Sequence, residues 1–159
     1  MYPEMNYEWF WKGHVFESRH YIARRAFPYP AYGGVFIVGR VEEGESPRYL
    51  EETAQLVKGL DADELEEAVE EINKELWKLG IRELILVHPE TRSTALLKPV
   101  YVGQDDNFAE EFTTEHPKYS DFQLVLSNRI LICDLPARKR KKMVEELVHM
   151  LETPANDDF

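Results

Sequence analysis

The sequence has a single cysteine, Cys133, in 159 residues. This excludes an internal disulfide and any zinc site built on several thiolates. Cys133 lies in the apolar run RILICDLP and reads as a core thiol, since free cysteine packs as a small hydrophobe. Long apolar runs are also missing. Stretches such as LILV at 84–87 fall far short of the roughly 20 residues a bilayer-crossing helix needs, so no membrane span is expected. The opening MYPEMNYEWFW lacks a basic segment followed by an apolar one, which leaves a cytoplasmic location as the default expectation. Phosphate-cradling glycine motifs are absent, because GGVFIVG precedes a strand rather than following one and no GxxxxGK occurs. There is no GxSxG elbow. His14, His20, His88, His116 and His149 show no paired ligand spacing, so neither a metal nor a cofactor is expected.

Charge is abundant and unevenly spread. The formal net charge is -11. Residues 1–40 contribute +2 (5 bases, 3 acids), residues 41–90 contribute -10 (5 bases, 15 acids) and the remainder -3 (9 bases, 12 acids). An acidic field of this kind repels nucleic acid and anionic membranes and favours basic partners. Aromatic residues are concentrated as well: 11 of 19 fall within the first 36 residues. The segment 1–32 is expected to pack as core and an N-terminal arm, with an interface as the alternative.

Periodicity gives the elements. GGVFIVGRV from residue 33 reads as a strand, being β-branched and aromatic. ESPRYLEETAQLVKGL favours a short helix with Ser46 and Pro47 at its start, although a strand within 53–58 is also compatible. A helix over about 62–79 is marked by the capping-box spacing of Asp61 and Glu64, by an apolar face of Leu65, Ala68, Val69, Ile72, Leu76 and Leu79, and by Gly80 as its stop. RELILVHP reads as a buried strand. STALLKPVYVG reads as a second strand, in which Pro99 demands an edge or a bulge. DDNFAEEFTTEHP suggests a short acidic helix, and FQLVLSNRILICDLP suggests two strands folded on Ser127, Asn128 and Arg129. A final helix carries Met143, Val144, Leu147, Val148 and Leu151 on one face. The expected fold is a single α/β (α+β) domain over 1–153. It has a single-layer, mixed or mostly antiparallel sheet of about 4–6 strands, including a C-terminal hairpin, packed by about 3–5 helices, with a mobile acidic tail at 154–159.

Three places carry candidate function. On the helix 62–79, Trp77 shares a stripe with Glu66, Glu70 and Asn73 on the polar side, so it is expected either to be exposed as an aromatic anchor in an acidic partner-binding face or to be covered by a loop or the N-terminal arm. At 138–142, RKRKK places five bases in a first helical turn, where the helix dipole disfavours cations. Five residues span more than one full turn, and Arg140 and Lys141 extend the apolar stripe backward. These two are expected to point inward at a sheet end beside free N–H groups. The run either neutralises the chain's own acids or receives an anion or acidic partner. Third, HPETR places His88 after a strand with Glu90 and Arg92 close by, a possible base, orienting group and anion clamp. The tip Asp157, Asp158 and Phe159 resembles the partner-binding tails of bacterial and phage single-stranded DNA-binding proteins, without the long glycine- or glutamine-rich linker that precedes them.

These features point first to a non-catalytic protein-binding module, an adaptor, inhibitor or immunity-like protein. Its acidic face around Glu66, Glu70 and Trp77 would engage a basic macromolecule, with Arg138, Arg140 and Lys141 forming a separate contact. One alternative is an enzyme acting on a phosphate- or carboxylate-bearing substrate with His88 as general base. Another is an accessory protein of nucleic-acid transactions acting through its acidic tip. A basic protein partner is expected and self-association is possible. Direct nucleic-acid binding and membrane association are disfavoured.

Overall fold

A computed structural model describes residues 7–20, 30–41, 48–111 and 127–153. Six strands, β1 (Glu8–Trp11), β2 (His14–His20), β3 (Gly34–Val41), β4 (Leu84–Val87), β5 (Thr94–Asp105) and β6 (Arg129–Asp134), close into a barrel in the order β1-β2-β6-β3-β5-β4. Every pairing is antiparallel. Helical segments are α1 (Arg48–Val57), α2 (Ala62–Lys78), the one-turn α3 (Phe108–Glu111) and α4 (Ala137–Leu151).

The expectation of an open single-layer sheet packed by helices is therefore corrected to a closed barrel. Its cause is the N-terminal aromatic segment. WFWKGHVF is a hairpin: Lys12 and Gly13 both take positive φ (47° and 78°), as a two-residue turn between right-twisted strands requires. β2 then pairs with β6 and the first residue of β1 reaches β4, joining the two ends of the sheet. The expected C-terminal hairpin is also corrected. Its proposed first strand, FQLVL at 122–126, falls outside the described residues, and β6 already has both edges taken by β2 and β3.

Alternation sorts the strands onto two faces. Val35 and Ile37 of β3 join Leu131 and Cys133 of β6 in the larger core, together with Trp9, Trp11, Phe16 and the buried faces of α2 and α4. Phe36, Val38, Ile130 and Ile132 form a second cluster with Phe108. In β5, Leu97 and Val102 both face the larger core although they differ by an odd number of residues. A bulge re-phases the strand, because Val38 pairs with Tyr101 whereas Gly39 pairs with Pro99. Pro99 thus stands at a bulge, beyond the last residue of β5 that pairs with β4. At Gly34 the backbone of β6 comes so close that a Cβ would collide with the Cys133 carbonyl.

α2 begins at Asp61, whose side chain accepts from Glu64 N at 2.8 Å while Glu64 returns to Asp61 N. These backbone and side-chain bonds hold the Asp61 carboxyl below its ordinary value. The helix ends in a Schellman motif: Ile81 N donates to Leu76 O and Gly80 N to Trp77 O, with Gly80 left-handed at φ 84°. α1 is helical through 53–57, so that segment is not a strand. Of the expected acidic helix, only Phe108–Glu111 lies within the described residues.

Candidate functional site

Among the described residues the barrel closes through one residue pair, Glu8 with Val87. Beyond that pair α2 takes over the role of the missing ladder. Asn73, fully buried, donates from Nδ2 to Val69 O at 2.8 Å and accepts from the Ile85 backbone N–H of β4 at 3.2 Å. One turn earlier, Glu70 accepts from Lys12 N in the β1–β2 turn at 3.3 Å. One turn later, Trp77 donates from Nε1 to Glu83 O at 3.1 Å. The helix therefore supplies side-chain partners to backbone groups on both sides of the seam, which would be costly to bury unpaired.

Of the two expectations for Trp77, the exposed anchor is corrected and cover by the N-terminal segment is what the structure shows. Trp77 is only 6% exposed, with its ring 5.2 Å from Trp11 and 6.4 Å from Trp9. The stripe Glu66, Glu70, Asn73, Trp77 lies on a second inward-facing side of α2, turned to the seam rather than to solvent; Glu66 and Glu70 are half-buried. What remains outside is a row at i, i+4 spacing: Asp63, Glu67, Glu71 and Glu75, all exposed, continued by Leu79 at 76% exposure. Lys74 reaches Glu70 and Glu71 at 3.8 and 3.7 Å, and Lys78 reaches Glu75 at 3.2 Å. The N-terminal half of the row has no such lysine partner among the described residues.

The basic turn of α4 divides. Arg140 is half-buried and points back over the helix start, donating from Nε to Leu135 O and from Nη1 to Asp106, both at 2.7 Å. Lys141, expected inward, is exposed. The buried stripe runs through Met143, Leu147 and Leu151, which extends back to residue 140 and leaves residue 141 about 120° away. Arg138, Lys139 and Lys142 are exposed too. Pro136 occupies the N-cap without a side-chain bond, and the first turn holds no acid.

His88, Glu90 and Arg92 share one turn, in which Arg92 N donates to His88 O and Arg92 takes φ 62°. His88 Nδ1 accepts from the backbone N–H groups of Glu90 and Thr91 at 3.2 and 3.1 Å. Its proton therefore sits on Nε2 in the neutral ring, and the lone pair a general base would use is already occupied. Arg92 keeps one buried guanidinium nitrogen without a hydrogen-bond partner. The structure does not bring His88 and Arg140 together. His88 adjoins the start of β5, and Arg140 is tied to Asp106 just past its end, so about 35 Å of strand separates them. Burial raises Cys133 to about 11, with Asp134 adding to the effect, so the thiol is inert at neutral pH.

Sequence reasoning missed the roles of Lys12 and Asn128. Lys12 ties the hairpin tip to α2 through Glu70 and to α4 through Glu146, at 3.1 Å. Asn128 binds Val41 N and O through its amide, both at 2.8 Å, in place of a strand neighbour. A signal for the first existed in Lys12-Gly13 standing as a two-residue turn between two apolar, aromatic-bearing runs. The tip Asp157–Phe159 lies outside the described residues.

Among the described residues no helix is long and apolar enough to cross a membrane, and no group of three or more His, Cys, Asp or Glu side chains is arranged to hold a metal ion. Compared with protein-family models, with curated proteins and with solved structures, the chain matches none.

Proposed function

We propose that the protein is a non-catalytic binding module whose α2 docks a basic, amphipathic segment of a partner protein. The observation that supports this most directly is the outward row Asp63, Glu67, Glu71 and Glu75 ending on the exposed Leu79. Carboxylates at this spacing present a continuous acidic ridge, and the leucine offers apolar area at its end. The ridge belongs to the part of the chain that carries -10 of the net -11 charge, which speeds encounter with cations. α2 is fixed from behind by the seam bonds and capped at both ends, so the ridge is presented without an ordering cost on binding.

Titration of the full chain with a Lys/Leu amphipathic peptide, followed by NMR, tests the reading. Shifts are expected along 63–79, affinity should fall several-fold between low and high salt, and Glu67→Lys with Glu71→Lys should abolish binding. A Lys/Ser peptide should bind more weakly than the Lys/Leu peptide, and Leu79→Ser should erase that difference. Shifts confined to other surfaces, or indifference to the charge reversals, would contradict the proposal.

A further inference from the structure

The strand pair that closes the barrel carries an electrostatic load. Glu8 is the residue that meets Val87 of β4, and on its other side it stands directly opposite Glu17 of β2. Counting from the turn, Trp11 opposite His14 is a hydrogen-bonded pair, so Glu8 opposite Glu17 is a non-hydrogen-bonded one; the bond from Ser18 N to Tyr7 O at 2.9 Å fits this phase. Side chains approach most closely at such positions, and like charges directly opposite repel.

The surroundings act in both senses. From α2 the Glu66 carboxylate acts on Glu8 in the same sense as Glu17. From the end of β4 the His88 imidazole acts in the other sense, but its Nδ1 is engaged by the loop N–H groups of Glu90 and Thr91. Glu90 and Arg92 sit on that same loop. Arg19, the cation nearest in β2, is turned to Glu17 at 3.2 Å. Tyr7 packs edge-on against His88 at 6.4 Å and feels Arg129 of β6.

We infer that Glu8 is a pH-responsive latch on the barrel seam: protonated, it lets β1 lie against β4, and ionised, it sets carboxylate repulsion on the closing pair with Val87 and loosens it. The direction of its titration agrees. Burial first, then Glu17 and Glu66, hold the Glu8 carboxyl above its ordinary value, partly offset by His88. A carboxyl raised in the folded state adds stability that is fully present below the unfolded glutamate range. That stability is lost as pH rises through the raised value, so the seam is tightest in acid and weakest at neutral pH. Because α2 bonds both Lys12 and Ile85 across the same seam, the helix holds the barrel together when the latch is released.

Glu8→Gln, which keeps the shape and removes the charge, tests this in the full chain. Thermal and urea unfolding are compared at pH 4 and pH 7.5, with amide exchange read at Glu8 and Val87. Expected at pH 7.5 is a rise in Tm of about 1–3 °C and several-fold slower exchange at the seam. At pH 4 the variant and the parent should coincide. Glu145→Gln, an exposed α4 position, removes one unit of net charge away from the seam and should leave both readouts unchanged. Equal effects of Glu8→Gln at both pH values, a loss of stability at pH 7.5, or the same gain from Glu145→Gln would each overturn the inference.

Discussion

α2 and α4 pack against one hydrophobic core yet are built on opposite terms. α2 has a capping box, carboxylates Asp63 and Glu64 in its first turn, Lys78 in its last, and a Schellman stop. Each of these agrees with the helix dipole and with its unpaired end groups. α4 starts at Pro136 with no side-chain cap and no acid, under a run of bases, and ends with Glu152 left-handed at φ 50°. It is anchored by Met143, Leu147 and Leu151 and by Arg140 bent onto Leu135 and Asp106. α2 is thus specified by local chemistry and α4 by tertiary contacts. The bases Arg138, Lys139, Lys141 and Lys142 are exposed.

That contrast can be broken at three levels. The largest effect is expected from Trp77→Ala, which empties a site walled by Trp9 and Trp11 and removes the indole bond to Glu83 O; about 3–5 kcal/mol should be lost in denaturant unfolding. Asn73→Ala leaves the Ile85 N–H without its acceptor, and about 1–3 kcal/mol should go by the same measurement. The smallest change has the opposite sign. Arg138→Glu and Lys139→Glu put acids where the α4 dipole favours them and should stabilise by about 0.3–1 kcal/mol each. Exposed, uncapped positions on a helix that does not obey the local rules are the ones where such a gain is available.

The sequence made α2 legible almost to the residue because its signals are local. Asp61 with Glu64 sets the start, Gly80 sets the stop, and the apolar repeat supplies the face between them. Strands β3, β4 and β5 were visible for the same reason, down to the irregularity at Pro99. Closure was not visible, since it depends on Glu8 finding Val87 across half of the chain, and nothing near either residue announces the other. The N-terminal strands were obscured by their own richness: aromatic residues at every position of WFW mask the alternation that marks a strand. The side taken by Trp77 stays open in the sequence because Glu70 and Asn73 are polar, and a polar stripe fits solvent as well as a covering arm. In the structure their polarity serves free backbone groups at the seam. The basic run was read half correctly, as Arg140 turns inward to carbonyl and carboxylate partners while Lys141 remains outside.

The account turns on α2 closing the barrel with side chains where strand pairing stops, and amide exchange at Ile85 tests this most directly. In the native protein the Ile85 N–H should exchange as slowly as its neighbours in β4. In Asn73→Ala it should become the fast site while β3 and β6 stay protected. Rapid exchange at Ile85 in the unaltered protein, or unchanged protection after the substitution, would contradict the account.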